Sequence, residues 1–160
     1  MSEYRVLSLP GIAGALLFLA AASDQTGLLP MPSRVRAEAL EGPVSATVNR
    51  VIDGDTIEVR AAIWLGQTLT IRVRIDGVDA PELEARCAEE RRLALAARDF
   101  LARRLEGAAV KLTQVEYDKY GGRVRADVAD AKGDIAAALL MSGHARAYHG
   151  ERRVPWCAAS

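Results

Sequence analysis

The stretch Arg74-Ile-Asp-Gly-Val-Asp-Ala-Pro-Glu82 joins an apolar, alternating segment to a turn that carries two carboxylates. The proline before Glu82 has a fixed φ angle and favours an extended conformation at Ala80. Asp79 and Glu82 are therefore expected at fixed positions beside the end of a strand. A second acidic turn, Val51-Ile-Asp-Gly-Asp-Thr56, precedes this stretch. We expect the two turns to meet and to hold a divalent cation, with an arginine and a glutamate beside it.

Five segments around these turns predict strands, several of them by alternation of apolar and polar residues. They are residues 44–50, 56–60, 68–75, 109–115 and 123–129. The first two are expected to form a hairpin, because Asp53-Gly54 supplies the residue with positive φ that tight turns need.

One long and one short helix are predicted, over residues 88–105 and 135–142. Gly107 and Gly143 follow them as helix ends. Apolar residues at helical spacing predict one buried stripe on the long helix. The stripe consists of Leu93, Ala96, Ala97, Phe100, Leu101 and Leu105. The predicted fold is α+β: a five-stranded β-barrel of the oligonucleotide-binding type, with the long helix after strand three and the short helix near the C-terminus.

The charges balance: 21 Lys and Arg residues face 21 Asp and Glu residues, and the formal net charge is zero. This balance argues against a protein that coats nucleic acid along its phosphates. Any contact with nucleic acid would be local, through a small cationic pocket.

The N-terminal residues 1–22 predict a cleaved signal peptide, with Arg5 before an apolar run and Ala20-Ala21-Ala22 as a small-residue cleavage pattern. The alternative is an uncleaved membrane anchor formed by residues 6–22. Residues 23–42 are predicted as a linker and residues 43–160 as the functional domain. In either case the domain is expected to be exported, to the periplasm or outside the cell.

Two cysteines, Cys87 and Cys157, fit an oxidising compartment and could form one disulfide. A bridge that closes a loop of this length would stabilise the fold by up to about 4 kcal/mol in the chain-entropy model. The alternative is two buried free thiols.

The order and spacing of the motifs resemble the staphylococcal nuclease (thermonuclease) family over about residues 44–148. The motifs are V-I-D-G-D-T at 51–56, R-I-D-G-V-D-A-P-E at 74–82, D-K-Y-G-G-R at 118–123 and G-H-A-R-A-Y at 143–148. The resemblance implies the same five-stranded barrel. It also implies a calcium-dependent endonuclease that cuts DNA and RNA with little specificity and leaves 3′-phosphate ends. The sequence itself indicates no protein partner, and a monomer is expected.

The resemblance also assigns the metal ligands by motif position. Asp55 and Asp79 match the carboxylate ligands of Ca²⁺, and Ala80 stands where the family supplies a backbone carbonyl. Asp53 would lie near the ion, as a partner through water. Oxygen ligands in a loose geometry suit Ca²⁺.

Three further residues match the catalytic positions of the family. Glu82 would position and activate the attacking water. Arg74 and Arg123 would donate paired hydrogen bonds to phosphate oxygens and stabilise the charge that develops in the transition state.

The nucleotide pocket would be lined by Lys119, Tyr120 and Tyr148, since stacking on a tyrosine ring tolerates any base. The loop at 118–123 has two glycines where the best-known family member has one.

Several other polar and aromatic residues receive no functional role. Asp76 is expected to be a solvent-facing turn residue, Trp64 a packing or exposed loop residue, and His144 and His149 surface residues.

Two other functions are compatible with parts of the pattern. The first is a noncatalytic barrel that binds single strands, but a degenerate copy would be expected to lack part of the acidic and arginine set. The second is a structural calcium-binding module of the cell envelope, which explains the acids but not the arginines.

Overall fold

The computed structural model of the protein describes residues 39–157. The predicted signal peptide or anchor at 1–22, and the predicted linker up to residue 38, lie outside the described residues. Within the described part of the chain, no helix combines the length and the apolar character needed to cross a membrane.

Short strands and two helices follow one another along the described residues. They are β1 (Ala39–Leu40), β2 (Val44–Val51), β3 (Thr56–Trp64), β4 (Gln67–Ile75), β5 (Val78–Asp79), α1 (Ala88–Leu105), β6 (Ala109–Tyr117), β7 (Arg123–Asp130), β8 (Gly133–Asp134), α2 (Ile135–Met141) and β9 (Arg146–Ala147).

Five of these strands close into a mixed barrel. Strands β2, β3 and β4 form an antiparallel meander, and β4 pairs in parallel with β7. Strand β6 closes the barrel by pairing antiparallel with both β7 and β2. The predicted α+β fold, a five-stranded oligonucleotide-binding barrel with two helices, is confirmed.

The predicted elements are present with small changes of boundary. The long helix has the predicted bounds, and the short helix ends at Met141 because Ser142 caps it. Strand β3 continues to Trp64 instead of ending at residue 60. Residues 39 and 40, placed in the linker by the sequence, form β1 and pair with β6.

Branched apolar side chains from the barrel and both helices form one core. Because each fully buried side chain of this size contributes about 1.5 to 3 kcal/mol, the core dominates the stability of the domain. Its largest fully buried members include Ile57, Val59, Val73, Ile75, Leu101, Leu105, Leu112, Val128, Ile135 and Leu139.

The stripe that α1 buries differs from the predicted one. Its buried apolar residues are Ala94, Ala97, Leu101 and Leu105. The predicted members Leu93, Ala96 and Phe100 are only partly buried. The first half of the helix therefore buries alanines, which allow a close approach to the barrel.

Two short strands bring the C-terminal part of the chain to the acidic turn. Strand β5 pairs antiparallel with β9, and Asp79 lies opposite Arg146. The Tyr148 amide donates a hydrogen bond of 3.0 Å to the Gly77 carbonyl. As a result, the chain after β9 starts beside Asp79.

A partly buried ion pair joins the end of α1 to the end of β7. We expect Asp130→Asn to destabilise the fold by about 1 to 3 kcal/mol. Arg104 donates two hydrogen bonds to the Asp130 carboxylate, at 2.7 and 2.8 Å. These bonds hold the pKa of Asp130 below its ordinary value. The stabilisation is therefore present at neutral pH and is lost as the pH falls below about 4.

Urea unfolding of both proteins at pH 7 and pH 3 measures this effect. The difference in the free energy of unfolding between wild type and Asp130→Asn should be smaller at pH 3 than at pH 7. The matched control is Asp99→Asn, which breaks an exposed pair with Arg98 and should change stability by less than about 0.5 kcal/mol. Equal losses in the two variants would contradict the prediction.

Candidate active site

The turn between β2 and β3 holds Asp55 in a buried position. The Ile52 and Asp53 amides donate hydrogen bonds to the Thr56 carbonyl, at 2.9 and 3.3 Å. The Asp53 carboxylate accepts a hydrogen bond of 3.0 Å from the Asp55 amide, which is the local contact that tightens an aspartate turn. Asp55 is 4% exposed. Asp53 therefore supports the conformation in which Asp55 points inward.

Gly54 is required in this turn by packing. A Cβ atom at this position would lie 2.8 Å from the Cβ atoms of both Ala80 and Ala97. The predicted positive φ at Gly54 is wrong, because this glycine is not among the described residues with positive φ. The turn thus packs directly against the second acidic stretch and against α1.

Arg74 connects the two acidic turns. The strand pairing of β3 and β4 places it opposite Thr56. Its Nη1 atom donates a hydrogen bond of 2.8 Å to Asp55 Oδ1, and its Nη2 atom lies 3.9 Å from Asp79 Oδ1. A further hydrogen bond of 3.3 Å reaches the Val78 carbonyl. The guanidinium is thus held in one orientation between two carboxylates.

Burial destabilises the ionised form of Asp55. Burial raises the pKa of Asp55, the positive charge of Arg74 opposes this effect, and the negative charge of Asp53 adds to it. The Ala80 amide donates a hydrogen bond of 3.3 Å to Asp55 Oδ2. A buried carboxylate in this state is stabilised further by a bound cation.

Asp79, at the end of β5, is equally buried, with 4% exposure. Its Oδ2 atom accepts a hydrogen bond of 3.3 Å from the Trp156 indole. Its Oδ1 atom is buried and accepts no well-oriented hydrogen bond, although the Arg153 Nε atom lies 2.8 Å away. Within the described residues, this oxygen has ion-pair contacts with Arg153 and Arg74 but no hydrogen bond, so it is a candidate ligand atom for a cation.

Glu82 lies at the surface beside this pair of acids. Its side chain is 51% exposed, and its Oε1 atom accepts a short hydrogen bond from Arg153 Nη1. The same guanidinium therefore contacts both Asp79 and Glu82.

Arg123 is the first residue of β7 and follows the loop that contains Asp118. Its Nε atom donates a hydrogen bond to Asp118, and its guanidinium lies 4.9 Å from the centre of the Tyr120 ring. Burial alone would raise the pKa of Asp118, but the hydrogen bond and charge of Arg123 outweigh it and keep that pKa below its ordinary value. Asp118 is therefore ionised and orients Arg123. Gly122, with φ of 82°, makes the turn that allows this contact.

One cleft of about 860 Å³ joins most of the predicted site residues. Its walls include residues predicted as catalytic and residues predicted for the nucleotide pocket. Among them are Arg74, Glu82, Arg123, Lys119, Tyr120 and Tyr148. Asp53 lines the cleft as well, whereas Asp55 and Asp79 are buried. The structure thus gathers the predicted residues from four segments of the chain.

Two contributors to the site were missed by sequence reasoning. Arg153 and Trp156 both contact Asp79. A signal existed: Cys157 follows Trp156 directly and is bonded to Cys87, five residues after Glu82. The predicted disulfide therefore implied that the chain before Cys157 lies close to the turn that carries Asp79 and Glu82.

The residues without a predicted role have the following positions. Asp76 is 45% exposed and forms an ion pair of 3.2 Å with Arg125. Trp64 is 73% exposed at the end of β3. His149 lies at the surface and lines the cleft, whereas the His144 ring is partly buried and packs 4.8 Å from the Phe100 ring.

Comparison with known proteins identifies the family of this chain. No curated protein matches this chain. The family model described as staphylococcal nuclease homologue matches residues 72–155, which is more than half of the chain. The matched region contains Arg74, Asp79, Glu82 and Arg123, whereas Asp55 lies before it. Together with the closed barrel, this match shows that the chain belongs to the staphylococcal nuclease family.

Proposed function

We propose that the protein is a calcium-dependent endonuclease that hydrolyses phosphodiester bonds in DNA and RNA and leaves 3′-phosphate ends. Members of its family are generally nucleases, and its barrel is an architecture that binds nucleic acid. One observation carries the proposal. Two buried carboxylates, Asp55 and Asp79, flank Arg74 at a cleft that also contains Glu82 and Arg123.

The residues present fit a calcium ion. The donor set consists of oxygen atoms, as a hard cation requires. Asp79 Oδ1 is a buried oxygen that accepts no well-oriented hydrogen bond from the described residues, and burial disfavours the charge of Asp55. Asp55, Asp79 and the Ala80 carbonyl would hold the ion, with Asp53 as a partner through water. Bound calcium would neutralise part of the phosphate charge and favour attack at phosphorus.

Glu82 is the candidate that positions and activates the attacking water. It is exposed to the cleft, so water and substrate can reach it. A carboxylate in hydrogen-bond reach of a water can orient it or accept its proton.

Arg74 and Arg123 would bind the phosphate oxygens. Asp55 and Val78 orient the first guanidinium, and Asp118 orients the second. Donors held in this way stabilise the charge that builds up in the transition state without reorganising. The structure therefore supports the roles that the family resemblance assigns.

The nucleotide itself would lie against Tyr120, Lys119 and Tyr148. Tyr120 is 58% exposed, and the Lys119 ammonium lies 5.2 Å from its ring centre. A base could stack on the ring while its phosphate meets the cations, a mode of binding that does not select the sequence. Single-stranded or locally opened nucleic acid is the expected substrate.

We also propose that the domain works as a monomer outside the cytoplasm, in the periplasm or beyond it, or held at the membrane by residues 6–22. The disulfide between Cys87 and Cys157 supports an oxidising compartment.

The proposal predicts that the full chain cleaves single-stranded DNA and RNA oligonucleotides in calcium and leaves them intact in chelator. Substrates with a fluorophore on the 5′ end, separated on denaturing gels, measure the cleavage, and a mobility shift of the labelled fragment after phosphatase treatment identifies a 3′-phosphate. Cleavage that persists in chelator would contradict the calcium requirement.

Binding without cleavage is the expected result for the alternative, a noncatalytic barrel that binds single strands. One observation favours this alternative: Arg153 engages both Asp79 and Glu82. Retained oligonucleotide binding with no cleavage in any divalent cation would support it.

A further inference from the structure

The segment from Glu151 to Cys157 crosses the acidic end of the cleft. The Arg153 guanidinium lies between Asp79 and Glu82 through two different nitrogen atoms. Its side chain is 43% exposed, so it can leave this position without crossing the core. Arg153 therefore contacts both the predicted metal ligand and the predicted catalytic glutamate.

Five contacts hold the segment in place. The Trp156 indole donates to Asp79 Oδ2, and the Arg146 guanidinium lies 3.8 Å from the centre of the Trp156 ring. Arg146 also donates hydrogen bonds of 3.5 and 3.3 Å to the Val154 and Pro155 carbonyls. The disulfide from Cys157 to Cys87 closes the segment. A cation tethered in this way is present at a high effective concentration.

We propose that Arg153 is a built-in competitor for the divalent cation, and that it sets the calcium concentration at which the site is filled. The inference rests on the proposed function, because it concerns the affinity of the same site for calcium. When calcium binds, Arg153 releases Asp79 and Glu82 together.

Electrostatics supports competition over joint occupancy. The guanidinium lies 2.8 Å from Asp79 Oδ1, the oxygen available to a metal. A divalent ion on the same oxygen would place two positive charges within a few ångströms of each other, and at a partly buried site their repulsion is poorly screened. Removing Arg153 from Asp79 is therefore part of the cost of binding calcium.

Occupancy of the metal site would also determine whether Glu82 is free to bind a water. While Arg153 holds Glu82 Oε1, that oxygen is engaged and less able to bind a water. Filling the metal site would free it. The proposed catalytic group thus becomes available when the cation is present.

Calcium titration calorimetry on the full chain tests this inference. Arg153→Gln is expected to bind calcium about tenfold more tightly than wild type, because the ion no longer displaces a charged, hydrogen-bonded group. The matched control is Arg152→Gln, which removes the same charge one residue away. Arg152 is exposed and has no ion pair with any described residue. The calcium affinity of Arg152→Gln should therefore stay within about twofold of wild type.

Two further variants distinguish the effect of the disulfide on calcium affinity from the effect of the Arg153 charge. Replacing both cysteines by serine should tighten calcium binding in the same direction, because the competitor loses its tether. Arg153→Lys keeps the charge without the planar fork, and a smaller rise in affinity is expected. It also replaces Arg153→Gln if thermal melting shows that variant to be unfolded.

The outcomes are distinct. Equal affinities for wild type and Arg153→Gln, or equal gains for the variants at 152 and 153, would overturn the inference and leave the proposed nuclease intact. Calcium binding by none of the folded proteins would overturn the inference and the calcium requirement together. A gain confined to position 153 would support both.

Discussion

Glu82→Gln is expected to lower calcium-dependent cleavage of single-stranded DNA by about 100- to 10,000-fold, the usual contribution of a general acid or base. Glutamine has the same shape but cannot accept a proton, and it orients water less strongly. Initial rates at saturating calcium measure the effect. Calcium affinity, measured by calorimetry, should not fall. It should rise slightly, because Glu82 is also one of the two carboxylates that hold Arg153.

Glu84→Gln is the matched control for this variant. Glu84 lies two residues later in the same loop and is also exposed. The charge change is identical, but Glu84 does not line the cleft, so the cleavage rate should stay within about threefold of wild type, as a distant screened charge allows. Undiminished cleavage by Glu82→Gln would remove Glu82 from the mechanism.

Asp79→Asn is expected to weaken calcium binding by about 100-fold or more, since even the loss of an outer partner of a ligand costs about 10- to 100-fold. Asparagine keeps the size of the side chain but removes a full negative charge from the buried oxygen pair. Calorimetry with calcium measures the loss. Cleavage should fall with it and recover in part at high calcium concentration.

Asp76→Asn is the matched control for metal affinity. Asp76 belongs to the same nine-residue stretch, but its carboxylate pairs with Arg125 at the surface. Its substitution should change calcium affinity by less than about threefold, through a screened charge only. Similar losses of calcium affinity at positions 76 and 79 would contradict the assignment of Asp79 as a ligand.

Local patterns were sufficient to predict most of the fold. The helix from Ala88 to Leu105 follows from helical spacing of apolar residues and from Gly107 after its end. The five barrel strands follow from short apolar segments between turns. These predictions succeed because each depends on residues that are near one another in the chain.

The errors concern contacts between distant segments. Periodicity could not show which residues of α1 would be most deeply buried, because their burial depends on how closely the helix approaches Gly54 and Ala80. Composition likewise could not show that Gly54 serves close packing. An Asp-Gly turn has the same sequence whether its glycine is needed for a positive φ or for close packing.

By itself, the sequence determined the nature of the candidate chemistry. Carboxylates at 55, 79 and 82 and arginines at 74 and 123 lie in the motifs that resemble the family, and their residue types set what they can bind. Only the tertiary structure decided how they are combined. The pairing of β3 with β4 places Arg74 against Asp55, and the disulfide brings Arg153 onto Asp79 and Glu82. The physical reason is that electrostatic competition depends on distances of a few ångströms, and these arise between residues far apart in the chain.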